Sequence, residues 1–138
     1  MDNSSSPGLA VENVTSTVFK NLEDQHDWTS LRTCAITGLE RPLIQGFPPR
    51  LLYLHPDDQI EALALEKATG EKAKHDPELE WVLPVHLSET WSLAKLSAVF
   101  DAIPGRRRAK RIVLATLHND STVVYYLLHE GMVKPRQN

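Results

Sequence analysis

The chain has 138 residues, of which 41% are hydrophobic and 24% charged, and its formal net charge is −3 at pH 7. These values predict one globular domain with a stable core, and the weak negative charge does not by itself indicate a nucleic-acid partner. The single cysteine excludes a disulfide framework and favours a reducing compartment. The polar first residues predict no secretory signal, and no apolar run is long enough to predict a membrane span.

The first predicted element is an amphipathic helix from about Pro7 to about Gln25. Ser6 can cap its first turn, and proline suits the first helical position. Apolar residues recur at helical spacing and define the face expected to be buried: Val11, Val14, Val18 and Leu22. The polar residues 1–6 predict a disordered tail, so we expect a single domain over 7–138.

Three short runs rich in apolar residues then predict strands, over 28–36, 42–47 and 51–54. The second strand is expected near a sheet edge, because Pro42 has no backbone N–H to donate. Cys34 lies in the first of these strands and is interpreted as a small core residue.

A second helix is predicted from His55-Pro56 to about Ala68, since proline and two acidic residues suit a first turn. Four residues are expected to share one of its faces: Ile60, Leu63, Ala64 and Lys67. The polar segment 70–80 after this helix predicts a surface loop.

The run from Trp81 to His86 predicts another strand, followed by a third helix. We expect Ser88 to cap this helix, Glu89 to lie in its first turn, and Pro104 to end it. Its apolar stripe again follows helical spacing: Leu93, Leu96, Val99, Phe100 and Ile103.

Two almost wholly apolar runs, 111–117 and 122–128, predict a hairpin with a two-residue turn at 119–120. Strands without a polar face are buried on both sides, so the hairpin is expected in the middle of a sheet. That turn would place Val113 opposite Tyr126. The predicted class is therefore α/β, with a mixed central β-sheet flanked by helices.

The end of the chain also carries a resemblance, in the string DSTVVYYLLHEGMVKP. The residues that carry it are Asp120, Ser121, Thr122, Val124, Tyr125, Tyr126, Leu128, Gly131 and Met132. The string resembles the C-terminal signature of the smallest, non-catalytic subunit of the eukaryotic tRNA-splicing endonuclease, and PLIQGFPPRLLYLHPDD is similar to fungal members. The resemblance implies a tRNA-endonuclease-like fold, also called restriction-endonuclease-like.

Catalytic subunits of that enzyme cut RNA without a metal ion, using a tyrosine at a strand end, a histidine further along, and a lysine that begins a later strand. Tyr53 is similar to the tyrosine and Lys110 or Arg111 to the lysine, but Glu61 stands where the histidine is expected. Without a proton donor near neutral pKa, cleavage would lose about 10²–10⁴-fold in rate. The resemblance therefore implies no catalytic residue, no metal ion and no cofactor.

Two groups of residues are candidate contacts. The basic run predicts contacts with RNA phosphates, a nuclear-import signal, or a solvated loop: Arg106, Arg107, Arg108, Lys110 and Arg111. The resemblance implies pairing through the terminal strands, including a short one expected at 132–134. The expected partner-interface residues are Val124, Tyr126, Leu128, Met132 and Val133. A terminal edge of this kind is also suited to pairing with a second copy of the chain.

The resulting hypothesis is that the chain is a structural subunit, which pairs with a catalytic subunit and interacts with precursor tRNA as part of the complex. The expected location is the nucleus, with the cytoplasm, including the mitochondrial outer surface, as the alternative. Two other functions remain open. One is a metal-independent endoribonuclease that uses a relocated histidine, such as His86 or His129. The other is an unrelated small α/β protein-binding module.

Overall fold

A mixed five-stranded sheet organises the described part of the chain. This computed structural model describes residues 7–50, 52, 56–71, 78–104 and 110–130. The elements are α1 (Pro7–Gln25), β1 (Thr29–Cys34), β2 (Leu43–Phe47), α2 (Pro56–Thr69), β3 (Glu80–His86), α3 (Leu93–Ala102), β4 (Arg111–Leu117) and β5 (Val123–His129). The predicted tail, the predicted strand 51–54 except Leu52, and the predicted strand 132–134 lie outside these residues.

The strands lie side by side in the order β1-β2-β3-β4-β5. Neighbours run antiparallel except β3 and β4, which run parallel. Parallel neighbours cannot be joined by a tight turn, and α3 lies in the connection between these two. The predicted α/β class with a mixed central sheet is confirmed, while the endonuclease-like label stays a prediction.

Two apolar cores cover the two faces of the sheet, because successive strand residues point to opposite sides. On the α1 side one cluster contains Val14, Val18, Leu22, Ile44, Val82, Val113 and Ala115. On the α3 side the other contains Leu43, Leu83, Val85, Val99, Phe100, Ile103 and Ile112. Burying one such side chain contributes about 1.5–3 kcal/mol. The predicted buried face of α1 is confirmed from Val14 onward, and the side chain of Val11 lies outside the described part.

The helix α2 forms where it was predicted, and its large apolar side chains are exposed. Ile60 is 67% exposed, and Leu63 and Leu65 are also exposed. The segment is rich in Ala, Leu, Glu and Lys, which favour a helix whatever it packs against. Because Leu65 stands on the side opposite Ile60, apolar residues do not form a single stripe. No described helix is long and apolar enough to cross a membrane.

The position of β2 agrees with the prediction, whereas that of the hairpin does not. β2 lies next to the outer strand β1, and so near an edge of the described sheet, although it pairs with strands on both sides. Pro42 lies just before the strand and removes no hydrogen bond from it. The hairpin is not in the middle of the sheet, because β4 is central whereas β5 is the outermost described strand and is only half-buried. β1 is the other outer strand, and Cys34 packs partly buried on the α3-side core.

The third helix begins later than predicted. Ser92, not Ser88, is its N-cap, and the Ser92 hydroxyl accepts a hydrogen bond from the Lys95 amide at 3.1 Å. Ser88 lies in the preceding turn, where its Oγ is 2.7 Å from Nδ1 of His86. The predicted stripe is buried from Val99 onward, but Leu93 is 62% exposed.

The hairpin register differs by one residue from the prediction, so that Tyr126 lies opposite Leu114 and not Val113. The loop is longer than two residues, since the His118 amide donates to the Thr122 carbonyl at 2.8 Å and the Ser121 amide to the His118 carbonyl at 3.0 Å. Ser121 has φ 71°, in the left-handed region. This is a turn closed by a bulge residue, and it decides which side chains share a face.

We therefore expect Ser121→Gly to stabilise the chain by up to about 1 kcal/mol, because glycine adopts positive φ without steric cost. The matched control, Asn119→Gly, should leave the free energy of unfolding unchanged or lower it, because Asn119 is not among the residues with positive φ. Urea denaturation of both variants measures the difference. A gain for Asn119→Gly alone would instead support the two-residue turn.

Candidate functional site

A buried ion pair joins the first residues of the two parallel strands. The Arg111 guanidinium donates from Nε to Glu80 at 3.1 and 3.2 Å, and from Nη2 to Glu80 at 2.5 Å and to Glu78 at 2.6 Å. Arg111 is 8% exposed and Glu80 is fully buried. Burial lowers the pKa of Arg111, but the hydrogen bonds and charges of the two carboxylates outweigh that effect and raise it overall.

These contacts change the interpretation of the basic run. Arg111 is removed from the predicted RNA contacts, because its guanidinium is buried among carboxylates and does not face solvent. Lys110 is half-buried, and its ammonium donates to the Phe100 carbonyl at 2.9 Å. Arg106, Arg107 and Arg108 lie outside the described residues and stay predictions. The polar stretch 70–80 also ends in β3 and not in a surface loop, because Glu80 begins that strand.

The outer strand β5 presents its predicted interface residues on one face. Val124, Tyr126 and Leu128 alternate along the strand and point to the α3 side, where Leu128 packs against the core. Tyr126 is 50% exposed. Met132 and Val133 lie outside the described residues. The described part of the predicted interface is therefore a half-exposed apolar surface at one end of the sheet, which we call the β5 surface.

The other face of β5 carries a tyrosine that is tied to α1. The Tyr125 hydroxyl donates to Oδ1 of Asn21 at 2.5 Å, and the His26 ring meets the phenol edge-on with centroids 5.0 Å apart. Burial raises the pKa of Tyr125 well above its usual value, so the phenol stays a hydrogen-bond donor. Tyr125 and His26 border a groove of about 320 Å³ between α1 and β5, which also includes Trp28.

A second polar cluster lies where β3 meets α3, and the sequence did not predict it. Arg41 donates to the Pro84 carbonyl at 2.9 Å and pairs with Glu89, which also accepts the His86 amide at 2.6 Å. Burial raises the pKa of Glu89, but the Arg41 hydrogen bond, the His86 amide and the charges of Arg41 and Lys95 lower it overall. Arg41 and Glu89 stand 48 residues apart in the chain, so no local pattern indicates the pair.

Only some of the residues that the resemblance compares with catalytic ones lie within the described structure. Tyr53 lies outside it, whereas Glu61, at the position expected for the histidine, is exposed on α2. The Nδ1 atom of His86 faces Ser88 at 2.7 Å. Among the described residues no group of three or more His, Cys, Asp or Glu side chains is placed to hold a metal ion.

Comparisons with known proteins agree over most of the chain. Residues 17–138 match a family model described as Sen15 protein. The chain is 47% identical over 146 residues to the probable tRNA-splicing endonuclease subunit tsp-1 of Neurospora crassa, covering 91% of this chain and 66% of that relative. It is 40% identical over 82 residues to the tRNA-splicing endonuclease subunit SEN15 of Eremothecium gossypii, covering 54% and 68%. A probable sen15 subunit of Schizosaccharomyces pombe is 39% identical over 72 residues, covering 44% and 50%.

The buried ion pair leads to a prediction about the free energy of unfolding. We expect Arg111→Met to lower the free energy of unfolding by about 3–5 kcal/mol, because it leaves the Glu80 carboxylate buried without its partner. Combining it with Glu80→Met should recover most of that loss, since two apolar side chains then pack together. Arg50→Met, which removes an exposed cation, serves as the control and should cost less than about 0.5 kcal/mol. Equal, small losses for both arginine variants would contradict the buried pair.

Proposed function

The chain belongs to the Sen15 protein family, and on that premise we propose that it is a non-catalytic subunit of a tRNA-splicing endonuclease. In this proposal it pairs with a catalytic subunit. Precursor tRNA is bound by the complex and is not cut by this chain. The chain spans 66% of the length of the Neurospora relative, so the proposal concerns the part of the subunit present here. We propose the nucleus as the place where it acts.

The observation that carries the non-catalytic role is the state of the two cations at the start of β4. By the resemblance, Lys110 or Arg111 occupies the position of the catalytic lysine. The Arg111 guanidinium is bound by two carboxylates and the Lys110 ammonium by a backbone carbonyl. A group that stabilises charge on a phosphate in the transition state must be aimed at that phosphate. Both cations instead serve the fold, which supports a scaffold that has given up the chemistry.

The β5 surface supports pairing with another subunit. Tyr126 is a large, half-exposed aromatic residue among apolar neighbours, and aromatic anchors of this kind dominate binding energy at protein interfaces. Met132 and Val133 would extend this surface, and the isolated chain would use it to form a homodimer. Arg106, Arg107 and Arg108 would contribute sequence-independent contacts with RNA phosphates.

We expect Tyr126→Glu to weaken the complex with the catalytic subunit of the same organism by at least about tenfold, because it buries a charge in place of an aromatic anchor. Thr33→Glu is the matched control, since Thr33 is exposed on the opposite outer strand, β1. Affinity is measured by titration calorimetry, and circular dichroism checks that both variants remain folded. An unchanged affinity for Tyr126→Glu would remove the β5 surface from the proposal.

We also expect the purified chain alone to leave an intron-containing tRNA uncut. In the reconstituted complex, Lys110→Ala should leave the cleavage rate within about twofold of wild type, far from the ~10²–10⁴-fold loss that follows removal of an acid–base group. Single-turnover cleavage assays measure both. Cleavage by the isolated chain, abolished by Tyr53→Phe, would show that the chain is an endoribonuclease in its own right.

A further inference from the structure

The two outer strands of the described sheet differ in regularity. β5 pairs with β4 along all seven of its residues without a shift. β1 pairs with β2 in unbroken register only at Arg32, Thr33 and Cys34, because the register shifts between Thr29 and Arg32. The described sheet therefore has one regular outer strand and one interrupted outer strand.

The interruption of β1 is a β-bulge. Three residue steps along β1, from Thr29 to Arg32, match two steps along β2, so that Ser30 and Leu31 together lie opposite Gly46. Ser30 has φ 53°, in the left-handed region, and is the one residue of the described strands with a positive φ. This conformation has a steric cost for serine, which the surrounding structure must offset. We call this feature the Ser30 bulge.

The packing of Leu31 holds the Ser30 bulge in place. The Leu31 side chain fills the space beside Gly46, where an added Cβ atom would lie 2.6 Å from Cδ2 of Leu31 and 3.3 Å from the Thr29 carbonyl oxygen. Leu31 is partly buried there and packs against the α1-side core. The bulge is therefore a packed part of the sheet and not a frayed end of the strand.

The outer side of β1 is uncovered in the described structure. No described strand lies beyond it, and Thr29, Ser30, Arg32 and Thr33 are exposed. An outer strand carries backbone N–H and C=O groups that can pair with a strand of another chain, and native proteins prevent such pairing with bulges, short strands and charged side chains. β1 combines the bulge, a regular stretch of three residues and the charge of Arg32.

We propose that the Ser30 bulge prevents strand addition at β1, so that this chain pairs with an extended strand of another chain at the β5 end of its sheet only. A bulge bends its strand and disrupts the line of backbone groups that an incoming strand would meet. A chain with two open edges would add strands at both ends and grow without limit, whereas one open edge gives an assembly that stops at a pair. A second copy suffices as the partner, so the inference does not rest on the proposed function.

The test is deletion of Ser30 in the full chain, which removes the extra residue and leaves Leu31 opposite Gly46. Sedimentation velocity over a concentration series should show assemblies larger than a dimer for the deletion variant and none for the wild type. Ser30→Gly is the matched control, because glycine suits the left-handed position of a bulge and should leave the assembly state of the wild type unchanged. A folded deletion variant that sediments as the wild type does would overturn the proposal.

Partial unfolding also produces large assemblies, so two further measurements separate it from strand pairing. Adding Thr33→Lys to the deletion places a second charge on the straightened strand and should return the assembly to a dimer or smaller. Large assemblies that persist with Thr33→Lys would overturn the proposal, and circular dichroism checks that each variant is folded.

The second measurement uses the wild-type chain and decides the question even if the deletion variant does not fold. Amide hydrogen exchange at Arg32, Thr33 and Cys34 should proceed at the same rate at low and at high protein concentration, because no strand covers β1 when copies associate. Slower exchange of these three amides at high concentration would show that β1 accepts a strand, against the proposal.

Discussion

The fold depends on the parallel pairing of β3 and β4, which are buried on both faces of the sheet. Each supplies alternate residues to the α1-side core and to the α3-side core, as Val82 and Leu83 do from neighbouring positions. A parallel pair needs a long connection, and α3 supplies it while covering one face. α1 covers the other. The remaining described strands extend the sheet outward from this pair, β2 and β1 on one side and β5 on the other.

The same pair of strands explains the structural role of the residues that begin β3 and β4. Glu80 and Arg111 are the first residues of adjacent parallel strands, so their side chains meet at one end of the sheet. Burying both charges has a high desolvation cost, which is offset only when each is fully hydrogen-bonded to the other. A guanidinium held in this way cannot also be aimed at a phosphate. Arg111, one of the two cations that the resemblance compares with the catalytic lysine, thus links β4 to β3.

The α3 side of the molecule presents one feature that the proposed pairing would cover. At one end of the sheet Tyr126 stands half-exposed on an outer strand. An exposed aromatic side chain keeps apolar surface in water, and a partner laid against it would remove that surface. In the proposed complex the partner would therefore cover the phenol.

The local sequence pattern was sufficient to predict helices and strands, but not to predict what each of them packs against. The sequence by itself determined the place of α1, the α/β class and the family, because helical spacing, apolar runs and the C-terminal signature are local signals. It did not determine that α2 is exposed, that the hairpin register is shifted by one residue, or that Arg111 is buried. The apolar residues of α2 form no single stripe, because Leu65 lies on the side opposite Ile60. The hairpin register is set by a loop in which Ser121 has a positive φ. Arg111 is buried against Glu80, which is thirty-one residues away in the chain. Each is decided by contacts between distant segments, which exist only once the sheet has formed.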